Sequence, residues 1–153
     1  MIQISIPVEP HVKKYLMKKY GSTYTASKTS FLGLEVLQAL SGEYEKPYVP
    51  SEQAAELKHS YKVFIPERYF NSNGHTVSIN NLQHLGEVVT KNFMETMCQY
   101  LDMMVDQGKL AMPELRTFLH YYHISEEDVK LESLYKTYQR HCKGSIKSPK
   151  IAV

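Results

Sequence analysis

The side chains best suited to chemistry in this sequence are cations and an amide near its C-terminus. Lys136, Gln139, Arg140 and Lys143 follow one another at helical spacing. Lysine and arginine bind backbone phosphates, arginine also pairs with the edge of guanine, and glutamine can pair with adenine. Lys147 carries this basic character into the segment GSIKSPK, which would add phosphate contacts. The pattern predicts a DNA-binding helix followed by a basic tail.

A second group of bases lies near the N-terminus. Residues 10–34 contain five lysines and no acid, and residues 133–153 contain five bases and no acid. The remaining residues hold eight bases against sixteen acids, which gives the net charge of +2. Two basic ends around an acidic middle fit a footprint for a polyanion, with nucleic acid as the leading candidate. We expect Lys13, Lys14 and Lys18 to support the C-terminal contacts, although solvated helix faces would carry the same lysines.

Signatures of catalysis and of metal binding are missing from the sequence. It contains no glycine-rich phosphate loop, no G-x-S-x-G and no H-E-x-x-H. His120 and His123 lack an accompanying CxxC or HxxxH, so we expect surface or turn histidines. Cys98 is expected to pack as a small apolar side chain, and Cys142 lies nearer to bases, but a reactive thiol needs an oriented partner that the sequence does not show. The sequence predicts a non-enzymatic protein with no metal, no cofactor and no small-molecule substrate.

Tyrosines accompany the basic N-terminal region. The chain has twelve tyrosines and no tryptophan. Tyr15, Tyr20 and Tyr24 are suited to stacking on unpaired bases, which would make the target single-stranded. Tyrosines at the boundary of a core show the same pattern, with the ring packed and the hydroxyl in water, and we favour this interpretation.

Two elements open the chain and position the first lysines. Alternating isoleucines predict a strand over residues 2–6. A helix is expected from Pro10, because proline in a first turn loses no needed hydrogen bond, and Gly21 is the expected stop. Residues 22–28 are predicted to form a loop.

A second helix is predicted over residues 31–40, with Ser30 as its N-cap. Its buried side is expected to carry apolar residues at helical spacing, namely Phe31, Leu34, Leu37 and Leu40 or Val36. A connection with two prolines follows over 43–53. Strands are predicted over 57–65, stopped by Pro66, and over 76–79, with a turn at 71–74 between them. These strands are expected to form one small sheet.

A long helix is predicted over residues 80–107, closed by Gly108. Its stripe consists of apolar residues at helical spacing: Leu82, Leu85, Val89, Phe93, Met97, Tyr100, Leu101 and Met104. At 1.5 Å per residue the helix is about 42 Å long. Gly86 is expected to weaken it by about 1 kcal/mol and to mark a bend. Its methionines are interpreted as core filling rather than as a binding surface.

The C-terminal third predicts a helix-turn-helix-like unit. Pro113 is expected to open one helix at its first position, and residues 123–124 to form a turn. Ser125 and Asp128 resemble a capping pair that starts another short helix. A last helix is predicted over residues 132–142, and this helix would be the DNA-recognition element. The alternative is a helical hairpin that packs on the long helix, with its bases only solvated.

Length and composition fit one domain. The chain has 153 residues, of which 42% are hydrophobic and 22% charged, and no run of eighteen apolar residues. The N-terminal sequence lacks the pattern of a secretory signal peptide, so we expect a cytoplasmic protein with reduced cysteines. The predicted fold class is α+β and mainly helical, with a small sheet and a long central helix. The predicted boundaries are a body at 1–108, the helix-turn-helix-like unit at 109–143 and a basic tail at 144–153.

The opening ISIPVEPHVKKYLMKKYG and the closing ELRTFLHYYHISEEDVKLESLYKTYQRHC resemble segments of small, largely uncharacterised proteins. Those proteins occur on prophages and mobile elements of Bacteroides-type bacteria and are described only as candidate DNA-binding proteins. The resemblance covers most of the chain, with the middle matched more loosely, and it offers no catalytic signature. It implies a bacterial, cytoplasmic protein associated with DNA.

Three functions follow from these observations. The first is a non-enzymatic DNA-binding protein, a regulator or accessory factor of a mobile element, with DNA as its partner. The alternative is a protein-interaction module, a homodimer paired through the long helix or a binder of another protein, with little salt-sensitive DNA affinity. The third is an unrecognised enzyme, which would need a concave pocket with convergent polar groups.

Overall fold

The computed structural model describes residues 1–41, 59–69 and 79–146. Its strands are β1 (Ile2–Pro7), β2 (Tyr24–Thr25) and β3 (Ser60–Ile65). Its helices are α1 (Pro10–Tyr20), α2 (Phe31–Ser41), α3 (Ile79–Asp106), α4 (Ala111–Tyr121) and α5 (Leu131–Ile146). The predicted α+β, mainly helical fold with a small sheet and a long helix is confirmed.

The chain divides into two compact units, residues 1–91 and 92–153, and α3 contributes to both. The predicted boundaries after residues 108 and 143 stay predictions. Within the described ranges, no helix combines the length and the apolar character needed to cross a bilayer.

The sheet of the first unit has the order β1-β3-β2. β1 and β3 are antiparallel, with Ile4 opposite Val63 and Ile6 opposite Tyr61, and all four side chains are buried. This alternation confirms the strand predicted over 2–6. β2 pairs in parallel with β3 inside the stretch predicted as a loop. That prediction was wrong because two residues are too few to show the two-residue period of a strand.

Helix α1 contacts β3 with the apolar face that the sequence predicts. Val12, Tyr15 and Leu16 are buried on that face. Gly21 ends the helix at φ +98°, a backbone conformation that favours glycine, so the predicted stop is confirmed. The Tyr61 hydroxyl donates a 2.7 Å hydrogen bond to the Gly21 carbonyl, which ties the end of α1 to the sheet.

Helix α2 confirms the predicted cap and confirms its predicted buried side only in part, at Val36, Leu37 and Leu40. The Gly33 amide donates a 3.0 Å hydrogen bond to the Ser30 hydroxyl. Phe31 and Leu34, predicted to be buried, are 39% and 54% exposed. The face that is buried carries Leu32, Val36, Leu37, Ala39 and Leu40. A Cβ on Gly33 would overlap the Ser27 backbone, so this close contact decides which side of an almost uniformly apolar helix faces inward.

Helix α3 begins one residue earlier than predicted, and Ile79 therefore belongs to a helix rather than to a strand. Residues 76–78 of that predicted strand, Leu57, the connection at 43–53 and the turn at 71–74 lie outside the described residues. Gly86 has a packing role: a Cβ there would overlap the Pro7 carbonyl oxygen. Its missing side chain lets the helix approach the end of β1 closely.

The second unit is built by α4, α5 and the part of α3 that follows residue 91. Its core is apolar and mostly aromatic or branched: Phe93, Met97, Leu101, Leu115, Phe118, Leu119, Leu134 and Tyr138. The Phe118 ring lies 5.9 Å from Phe93, 5.5 Å from Tyr100 and 4.9 Å from Tyr122 between ring centroids. Such tilted rings stabilise a core beyond their buried area.

The connection between α4 and α5 differs from the prediction. Pro113 is the third residue of α4 rather than the first, a position that still lies in the first turn and needs no amide proton. Asp128 accepts hydrogen bonds from the Ser125 amide at 2.9 Å and the Ser125 hydroxyl at 3.2 Å. These bonds close a turn that does not continue as a helix, so the short helix expected there is absent from this segment. The connection covers residues 122–130, longer than the three or four residues of a tight helix-turn-helix turn.

Candidate nucleic-acid interface

Helix α5 presents one buried face and one exposed face. Leu134 and Tyr138, four residues apart, are 1% and 5% exposed. Lys136, Gln139 and Arg140 on the other side are exposed. A helix with this division packs on its neighbours through a single stripe and leaves the opposite stripe to solvent.

Asp102 on α3 fixes the buried face of α5. Tyr138 donates a hydrogen bond of 3.1 Å to Oδ1 of Asp102, and His141 Nε2 lies 2.7 Å from Oδ2. Both carboxylate oxygens are therefore engaged by residues three positions apart on α5. Burial, together with the neighbouring Cys142 and Asp102, raises the pKa of the Tyr138 hydroxyl, which stays protonated as the donor. These two contacts fix the rotation of α5 about its own axis.

The exposed face of α5 carries the predicted DNA-binding residues together. Lys136, Gln139, Arg140 and Lys143 are all exposed and are spaced i, i+3, i+4 and i+7, so they form one stripe. Seven residues of helix cover about 10 Å, close to the 12 Å width of a DNA major groove. We call these four residues the α5 basic stripe. Lys147 lies outside the described residues.

One acid lies beside the α5 basic stripe. Lys136 Nζ is 3.6 Å from a Glu132 oxygen, with 59% and 80% of the two side chains exposed. An exposed pair at this spacing contributes about 0.3–0.5 kcal/mol, so a phosphate can replace the carboxylate at little cost. Glu126 and Glu127, also exposed, lie in the connection before α5. The positive charge therefore increases toward the C-terminal end of the helix.

The N-terminal lysines lie on α1, in the first unit. Lys18 is exposed, whereas Lys13 and Lys14 are half-buried. The neighbouring Lys19 ammonium lies 5.6 Å from the Tyr15 ring centroid and 5.4 Å from that of Tyr20. Four predicted residues thus share one stripe on α5, and three others share the separate helix α1.

The tyrosines near α1 are packed to different degrees. Tyr15 is 1% exposed, so its ring is not accessible to an unpaired base. Tyr20 and Tyr24 are half-buried, with ring centroids 4.9 Å apart, and the Tyr24 hydroxyl is hydrogen-bonded to Ser30. These contacts fit tyrosines at the boundary of a core.

The cysteines and histidines do not form a metal centre among the described residues. Both cysteines are free thiols, and burial raises the pKa of the Cys98 thiol to about 11. His120 is exposed on α4, and His123 occupies the turn after it with φ +58°. Among the described residues, no group of three or more histidines, cysteines or acids is placed to hold a metal ion.

Sequence reasoning missed Asp102, the residue that contacts Tyr138 and His141 on the buried face of α5. The available signal was its position directly after Leu101, at the edge of the apolar stripe of α3. A carboxylate at such an edge can reach a polar group of a neighbouring helix, but the partner cannot be read from spacing within α3 alone.

No protein-family model matches the chain, and neither a curated protein nor a solved structure shows significant similarity to it. The resemblance to prophage and mobile-element proteins therefore stays an expectation.

Proposed function

We propose that this protein is a non-enzymatic DNA-binding protein whose contact element is α5. The α5 basic stripe carries the proposal, because it gathers three cations and one amide on a single exposed face. The opposite face is held by Asp102 through Tyr138 and His141. An anchored helix presents its side chains with little loss of conformational entropy on binding.

Each residue of the stripe has a role that its chemistry supports. Lys136 and Lys143, at the two ends, bind phosphates as point charges. Arg140 offers a planar fork of donors that can pair with guanine or with a phosphate. Gln139 offers both a donor and an acceptor, which is the pattern that adenine presents in the major groove. Lys13, Lys14 and Lys18 on α1 would add sequence-independent phosphate contacts.

The biological setting belongs to the same proposal. We place the protein in the bacterial cytoplasm, as a regulator or accessory factor of a mobile element. A protein-interaction module without DNA affinity is the alternative, and it stays a prediction. The apolar stripe of α3 includes Leu85, Val89, Phe93, Met97 and Leu101, which are buried in the fold. A dimer through α3 would therefore have to use other residues of that helix.

The proposal is tested by measuring binding to a pool of duplex DNA over a salt series. The wild-type affinity should fall steeply with salt, because each phosphate contact releases counterions. The double variant Lys136→Ala with Arg140→Ala should weaken binding and lower the slope of log K against log salt by about 2.

A matched control removes the same charge elsewhere. Lys62 on β3 and Lys91 on α3 are both exposed, and neither belongs to the α5 basic stripe. Their double alanine variant should retain most of the wild-type affinity and slope. No binding by the wild type at low salt would reject DNA binding and favour the interaction module. Equal losses in both double variants would reject α5 as the contact element.

A further inference from the structure

Two thiols lie beside the Asp102 contacts, one on each helix. Cys98 precedes Asp102 by one turn on α3, and Cys142 directly follows His141 on α5. His141 contacts Asp102 and also lines the same open groove as Cys98. The path along α3 from Asp102 back to Cys98 therefore runs beside the path along α5 from Tyr138 to residues 141 and 142. This register places Cys98 and Cys142 in one neighbourhood across the two helices.

The two thiols differ in access and in reactivity. Cys98 is 5% exposed, whereas Cys142 is half-buried. Burial, together with the nearby Asp102 and Cys142, raises the pKa of the Cys98 thiol to about 11. Since Cys142 is the less buried of the two, it is the thiol that a small oxidant meets first. A groove of about 270 Å³ beside Cys98 and His141 is open to solvent.

We propose that Cys98 and Cys142 are a redox pair that closes into an intramolecular disulfide between α3 and α5 when the protein meets a peroxide. The Cys142 thiol gives up its proton, its thiolate attacks one oxygen of hydrogen peroxide, and the O–O bond breaks to give a sulfenic acid and hydroxide, which takes up that proton as water. The Cys98 sulfur then attacks the sulfenic sulfur, and its proton leaves with the hydroxyl as a second water. Two thiols lose two electrons in total, and the peroxide gains them.

The last turns of α5 can accommodate this bond. A disulfide requires Cα atoms about 4.4–6.8 Å apart, and its closure would fix α5 and α3 at that separation beside Cys98. Between Tyr138 and residue 144 no side chain of α5 is buried, so a local shift there disturbs little of the core. The oxidised form would hold α5 by a covalent bond in addition to the Asp102 contacts.

The test uses the full chain, treated with a modest excess of hydrogen peroxide and then with iodoacetamide under denaturing conditions. The oxidised monomer should lose the mass of two hydrogen atoms and take up no iodoacetamide. A peptide that joins Cys98 to Cys142 should appear in a nonreducing digest and vanish after dithiothreitol. This measurement uses no DNA, so its failure is distinguishable from failure of the proposed function.

Single variants separate the roles of the two thiols. Cys98→Ser or Cys98→Ala should stop at a sulfenic acid on Cys142 that dimedone traps, whereas Cys142→Ser should leave Cys98 reduced under the same treatment. The proposal is overturned if oxidation gives only disulfides between two chains. It is also overturned if Cys142 proceeds to sulfinic acid while Cys98 remains open to alkylation in the wild type.

Discussion

Replacing Asp102 by alanine tests whether this carboxylate anchors α5. The variant removes the acceptor of the Tyr138 hydroxyl at 3.1 Å and the partner of His141 at 2.7 Å. Both partners lie on α5, so one substitution releases two contacts of the helix. Asp102 itself is 45% exposed, and its removal leaves little unfilled volume in the core.

The expected loss of stability follows from the different burial of the two partners. Tyr138 is 5% exposed, and a buried hydroxyl deprived of its acceptor costs about 1–3 kcal/mol. The His141 side chain is 36% exposed, so water replaces much of its lost contact and we add only about 0.5 kcal/mol. The free energy of unfolding should therefore fall by about 1.5–3.5 kcal/mol.

Urea unfolding followed by circular dichroism measures this difference. Asp106→Ala is the matched control, because Asp106 lies one turn further along α3 and is exposed. It should change the free energy of unfolding by less than about 0.5 kcal/mol. Asp102→Asn keeps one oxygen for Tyr138 and should lie between the wild type and Asp102→Ala. Equal stability of Asp102→Ala and the wild type would refute the anchoring role.

Three further predictions concern packing and ionisation. Gly86→Ala should lower the free energy of unfolding despite the better helix propensity of alanine, because its Cβ would overlap the Pro7 carbonyl and overpacking costs about 1–3 kcal/mol. Gly144→Ala is the control: a Cβ at Gly144 on α5 would have no neighbouring atom, so this variant should be slightly stabilised. A higher melting temperature of Gly86→Ala than of the wild type would contradict the close contact at Gly86. Phe118→Ala should lower the free energy of unfolding in urea by about 3–5 kcal/mol, because the Phe118 ring packs against three other rings. A loss below about 1 kcal/mol would show that these rings do not form the core. In the folded protein the pKa of Cys98 is raised from 9.0 to about 11, so its contribution to stability is present below pH 9 and is lost as the pH rises through 11. The free energy of unfolding, measured across this pH range, should therefore decline less in Cys98→Ala than in the wild type.

The elements that could be predicted from the sequence are those whose apolar period is long or is directly followed by a stop residue such as glycine. The long helix was recognisable because its apolar residues keep the helical period over many turns, and the end of α1 because Gly21 follows that period directly. The rotation of α2 was recognisable only in part, since apolar residues lie on most of its sides. Contact between Gly33 and the Ser27 backbone selects the buried face, and such a contact is a tertiary property.

The candidate site was also predicted only in part, because spacing within one helix can be seen in the sequence and contacts between helices cannot. The stripe of Lys136, Gln139, Arg140 and Lys143 follows from spacing within one helix, and the structure leaves all four residues exposed. Asp102 could not be paired with Tyr138 and His141, because 36 and 39 residues separate the partners along the chain. Similarly, the Ser125–Asp128 pair has the pattern of a helix cap, but only the structure shows that it closes a turn.

The middle position of β3 affects how the first unit forms during synthesis. β1 and β2 emerge from the ribosome first, yet both obtain their hydrogen-bond partners from residues 60–65. Until those residues emerge, Ile4 and Ile6 have no cross-strand neighbours, and the apolar face of α1 lacks the strand that it contacts. Pairing across about 60 residues is slow compared with local helix formation. The nascent chain therefore exposes an apolar surface that is prone to aggregation until β3 has emerged.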